Sequence, residues 1–155
     1  MCELLSGKQG SVNSIPVPDL YSYHEEADSR IILLCLHASQ QPTTERVIVR
    51  SPDSDVFHLL LPFCDAISKP LIFDTGSGNN RRQLNITDLA TTMSKQLRDA
   101  IFGLHAFTGC DSTSCFAGKG KLKALKMLQG DQDLQDTFSR FGTLETISGQ
   151  DIYKL

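Results

Sequence analysis

Residues 46–63 read RVIVRSPDSDVFHLLLPF: a β-branched run, an acidic turn and an apolar segment, in that order. Arg46-Val-Ile-Val-Arg50 has the side-chain density of a buried strand. Ser51-Pro-Asp-Ser-Asp55 follows directly. Pro52 suits a first helical position, and Val56 to Phe63 predicts a short helix stopped or kinked near Pro62. Asp53 and Asp55 therefore fall at a strand-to-helix turn, and in an open α/β sheet ligands gather outside the carboxyl ends of the strands. Helix capping accounts for one of these aspartates and leaves the other without a structural role.

Upstream, residues 1–22 are rich in Gly, Ser, Asn and Pro without sustained periodicity and read as an irregular tail. Ser22 and Glu25 have the spacing of a capping box. Ala27, Ile31, Leu34, Cys35 and Ala38 then share one face of a helix over about 23–38. Glu25, Glu26 and Asp28 crowd its first turn, where the helix dipole favours negative charge. Glu26 can also pair with Arg30 one turn on.

Downstream, Leu71–Asp74 and Gln83–Ile86 flank a glycine-rich tip at 75–82 and predict a hairpin. The tip, TGSGNNRR, lacks the Gly-Lys-Ser/Thr ending of a phosphate loop and lies between two strands, which argues against a nucleotide site. A short helix over 87–93 leads into a second, where Leu97, Ala100, Ile101, Leu104 and Thr108 form a stripe that Gly109 ends. Asp111 then emerges at a helix C-terminus, where a carboxylate is disfavoured by the dipole and calls for a cation. Gly118-Lys119-Gly120 can bring backbone N–H groups close to a phosphate, and Lys119, Lys121, Lys123 and Lys126 follow one another with no acid between residues 112 and 130. An ordinary turn with a solvated lysine face is the plain alternative. Residues 131–141 read as a last helix.

The chain has 155 residues, 40% hydrophobic and 21% charged, the balance of one globular domain. A formal net charge of −3 excludes a generally basic nucleic-acid coat, so backbone binding must come from a local patch. Five cysteines with no C-x-x-C pair and no leader pattern point to a reducing, intracellular setting. No apolar run approaches the roughly 18 residues of a membrane span. His24, His37, His58 and His105 show no metal-binding spacing and are expected to be satisfied or exposed.

Glu26, Asp28, Asp53, Asp55 and Asp111 then form a set. Clustered carboxylates cannot all stay ionised without a hard cation, and Mg²⁺ or Mn²⁺ suits an oxygen-rich site of this kind. The matching chemistry is attack of water on a phosphodiester. In this respect the chain resembles the PIN-like 5′ nucleases of the flap endonuclease type over roughly residues 24–128. Glu26-Ala27-Asp28 matches that family's Glu-Ala-Glu, Asp53-Ser54-Asp55 its Asp-x-Asp, and Gly109-Cys110-Asp111 its Gly-Cys-Asp. Gly118 and Gly120 stand at the positions of its helix-hairpin-helix glycines. HEEADSR, RSPDSD and HAFTGCDSTS also resemble a group of animal proteins associated with mobile elements.

The resemblance implies a three-layer α/β sandwich with a central, mostly parallel sheet. It divides the chain into a tail (1–22), a partial nuclease core (23–111), a helix-hairpin-helix region (112–141) and a second tail (142–155). It implies a metal-dependent nuclease whose Gly118, Lys119, Gly120, Lys121 and Lys123 hold a DNA backbone with little sequence preference, and a nuclear location before a cytoplasmic one. The family carries two further aspartates ahead of its Glu-Ala-Glu helix, and Glu3 and Asp19 match neither. The chain thus corresponds to the C-terminal part of such a domain, and an inactive module that binds nucleic acid or protein is the alternative.

Overall fold

The structure, a computed structural model, describes residues 2–6, 12–21, 27–109 and 121–141, with side chains from Ile15 onward except at Asp19 and at 27–29. The expectations at Ser22, Glu25, Glu26, Asp111, Gly118, Lys119 and Gly120 lie outside the described residues, and at Asp28 only the backbone is described.

Five strands and six helices are described. Strands β1 (Cys2–Ser6) and β2 (Val12–Pro16) pair antiparallel, and a short 3-10 turn at Pro18–Leu20 follows. This corrects the reading of 1–22 as irregular: two five-residue segments gain their order from each other, which local composition does not report. Helix α1 runs Ala27–Gln40 and leads to β3 (Val47–Arg50), α2 (Ser54–Phe63) and β4 (Leu71–Thr75). Next come β5 (Arg82–Asn85), α3 (Ile86–Thr91) and α4 (Lys95–Phe107), and finally α5 (Lys121–Gly130) and α6 (Gln132–Arg140).

The central sheet has the order β3-β4-β5. β3 and β4 are parallel, with Arg50 opposite Asp74, whereas β4 and β5 form the expected antiparallel hairpin. One parallel and one antiparallel pairing make the sheet mixed, not mostly parallel. The strand, helix, strand order of β3-α2-β4 produces the parallel pair, since returning to the same end of the sheet needs a crossover. Alternation sets the burial of β3: Val47 and Val49 enter the core, while Ile48 is 48% exposed on the other face. Among the described residues β3 pairs with β4 alone, so its outer edge carries no partner strand.

The core gathers β3, β4, α2 and α4, with Val56, Leu60, Leu61, Leu71 and Phe73 all but inaccessible to solvent. Each such side chain contributes about 1.5–3 kcal/mol relative to exposure. In α1 the buried stripe is Ile32, Cys35 and Ser39, and Leu34, expected inside, is 38% exposed. The apolar residues of α1 permit two overlapping stripes, and packing against β3 and α2 selects between them. Helix α4 crosses α6 closely because Gly103 lacks a side chain: a Cβ there would lie 2.2 Å from the Phe138 carbonyl oxygen. Gly109, at φ 100°, follows α4 in the left-handed conformation that glycine favours, as its position after the stripe predicts.

Candidate functional site

The acidic turn after β3 is built as a cap. Asp53, not Pro52, begins α2: its extended backbone (φ −86°, ψ 128°) makes it the N-cap, and its Oδ1 accepts from the Asp55 N–H at 2.8 Å. Pro52 lies one residue before the cap and so is not the first helical residue. The Asp53 N–H in turn donates to Ser51 Oγ at 3.1 Å. Capping thus absorbs Asp53 and leaves Asp55 free to face the rest of the molecule.

What it faces is α4. Helices α2 and α4 pack together, and His105, two residues before the end of α4, brings Nε2 within 2.9 Å of Asp55 Oδ1. His58, one turn beyond Asp55 on α2, stacks its ring on that of His105, with centroids 4.0 Å apart and planes 13° from parallel. Asp55, His58 and His105 each offer a ligand atom, all within 4.8 Å of one another, and could hold a metal ion. The spacing of the histidines in the sequence carries no sign of this cluster, which only the packing of α2 on α4 assembles.

Hydrogen bonds define the rings further. His58 Nδ1 lies 2.7 Å from the Ser54 carbonyl; a carbonyl only accepts, so Nδ1 carries the proton and the Nε2 lone pair is free. His105 Nδ1 lies 3.2 Å from Lys121 Nζ; an ammonium only donates, so this nitrogen accepts and Nε2 carries the proton. His105 is 6% exposed, and its Nε2 meets Asp55 Oδ1 at 2.9 Å, close enough for the carboxylate to favour the charged ring but off the line of a well-aligned hydrogen bond. Burial is the main cause that pushes both imidazoles below the usual histidine range; the His105 ring adds to it at His58, and the Lys121 ammonium at His105. Asp55 pulls the other way on both. Neutral rings are the form in which histidine ligates metals.

The lysine row divides on the helix. Lys121 and Lys123 are two residues apart and so project from nearly opposite sides of α5; Lys121 turns to His105, and Lys123 and Lys126 stay exposed. Of the expected acids, the structure places Asp53 and Asp55 at one corner beside Lys121.

A second charged group stands beside the corner. Asp74, at the end of β4, is buried under Arg50 at 3.2 Å and Arg81, whose Nε and Nη2 donate to its two oxygens at 3.0 and 2.6 Å. The hydrogen bonds from Arg81 are the first cause that holds its pKa down to about 2. Cys35 is a buried free thiol raised to about 11 by desolvation, which makes it a packing residue and not a nucleophile.

Comparison with protein-family models, with curated proteins and with solved structures finds no match to the chain.

Proposed function

We propose that the chain is a metal-dependent nuclease-type domain that acts on DNA phosphodiesters, with the three-layer PIN-like arrangement as its architecture. One observation carries this reading: Asp55 meets His105. The turn after β3 and the end of the helix that leads to Gly109-Cys110-Asp111 converge on one corner, and the resemblance draws acids from both segments.

The donor set decides which ion fits. A site of carboxylates alone suits Mg²⁺, whereas one carboxylate with two imidazoles suits Mn²⁺ or a later first-row ion. Asp55, His58 and His105 would hold it, with Glu26, Asp28 and Asp111 as further acids from the sequence. When bound, such an ion supplies an activated water and neutralises charge on the phosphate. The chain's own groups do the rest. Asp53 fixes the start of α2 and so the position of Asp55. Lys123, exposed on α5, offers its charge to the backbone of the nucleic acid, a contact that carries no base information.

Incubation of the chain with nicked, flapped and duplex DNA in Mn²⁺ or Mg²⁺ tests the proposal. Expected are salt-dependent binding that Asp55→Ala preserves and, with two of the family's aspartates unmatched in this sequence, no more than weak metal-dependent cleavage, which Asp55→Ala abolishes. Binding without cleavage in any metal would select the inactive module, and the absence of both would overturn the nucleic-acid reading.

A further inference from the structure

We propose that Lys121 gates a transition-ion site formed by Asp55, His58 and His105, and that engagement of Lys121 by a phosphate opens it. The proposal rests on the nuclease reading for the source of the phosphate, and on this corner's geometry for the gate.

Three observations support a ligand here. The three donors already lie within 4.8 Å of one another on two packed helices. His58 donates Nδ1–H to the Ser54 carbonyl, the outer hydrogen bond that ligating histidines make, and keeps its Nε2 lone pair. His105 is buried, and the nearest polar atom to its Nε2 is Asp55 Oδ1 at 2.9 Å, so the carboxylate and the ring nitrogen already face each other across the place an ion would take.

The same geometry shows the site shut. The rings are stacked, and ligating lone pairs lie in the ring planes, so two parallel rings 4.0 Å apart cannot both aim at one ion until one of them turns. Lys121 adds the chemical block. While its ammonium donates to His105 Nδ1, the ring proton stays on Nε2, the nitrogen beside Asp55, and no lone pair is offered there. Withdrawal of Lys121 lets Nδ1 carry the proton instead, and Nε2 becomes a ligand. No proton is gained or lost by the ring in that exchange; it moves between nitrogens by way of solvent.

Lys121 is exposed, so its bond to His105 competes with water and is easily traded for a phosphate oxygen. Metal and phosphate then favour the same state, and each raises the affinity for the other by one shared factor. An ion would thus be held most tightly when a nucleic-acid backbone is in place.

Titration of the chain with Co²⁺, followed by its visible absorption and by calorimetry, tests the gate without any cleavage assay. Lys121→Met should tighten Co²⁺ by about two- to tenfold, the range of one ordinary hydrogen bond, since water competes for the exposed ammonium. A short non-cleavable phosphorothioate oligonucleotide should tighten it in the wild type and leave Lys121→Met unchanged. His58→Gln, on the less buried ring, should abolish the binding, with thermal melting as the check that the variant folds. Equal affinity in wild type and Lys121→Met would overturn the gate, and so would no Co²⁺ binding in either. Tightening by Lys121→Met with no response to the oligonucleotide would keep the site and its lysine block but overturn the phosphate trigger, whereas the nuclease reading itself stands or falls on the cleavage and binding assay above.

Discussion

Asp74 and Asp55 both stand at the carboxyl end of the β3–β4 pair, and their surroundings differ in kind. Asp74 is enclosed by two guanidinium groups, which donate to both of its oxygens and hold it ionised far into acid. Asp55 meets a single imidazole nitrogen at 2.9 Å, next to a second imidazole with a free nitrogen. A carboxylate with its charge already balanced fastens structure; one whose neighbours are imidazole nitrogens leaves room for the cation proposed above. The contrast makes Asp74 a structural group and leaves Asp55 as the proposed ligand, on geometry and not on residue type.

The largest expected effect breaks the functional side. Asp55→Ala should lower Mn²⁺ affinity by more than the roughly 10–100-fold that loss of an outer partner costs, measured by calorimetry, and should leave the metal-free melting temperature nearly unchanged. A large fall in metal-free stability would place Asp55 with Asp74 as a structural group. Next comes the helix that carries His105. Gly103→Ala puts a methyl group against the Phe138 carbonyl, and urea unfolding should show a loss of about 1–3 kcal/mol; a neutral or stabilising result would mean that α4 and α6 cross less closely than described.

Asp74 gives a pH signature. Its folded pKa lies below the unfolded carboxylate value, so its contribution is complete above about pH 4 and fades as pH falls towards 2. Asp74→Asn should therefore melt earlier than the wild type at pH 7, with the gap closing across that acid window. A gap that persists at pH 2 would show that packing, not charge, is at stake. The smallest effect concerns Lys123→Ala, which should flatten the salt dependence of DNA binding by about one unit in slope without changing sequence preference. An unchanged slope would remove Lys123 from the interface.

Much of this arrangement was legible where the cause is local. The β-branched run at 46–50 and the acidic run after it place both aspartates at the strand-to-helix turn, but with Pro52 read as the first helical residue the sequence does not say which of them caps α2. Gly109 after the α4 stripe marks the end of that helix for the same reason. The paired β1 and β2 were missed because strand order there depends on a partner. His58 had a readable signal, three residues after Asp55 on one helix face, but His105 comes 47 residues after His58, and only the packing of α2 on α4 joins them. The sequence presents Lys121 and Lys123 as one row, and it hides the 200° that separates them on a helix and the contact of Lys121 with His105.

The most direct test is anomalous diffraction from crystals of the chain soaked in Mn²⁺ with a short DNA backbone analogue. The account predicts one strong peak within coordination distance of Asp55, His58 and His105, with Lys121 turned away from His105 and no peak at Asp74. A peak at Asp74, or none at the α2–α4 corner, would contradict it.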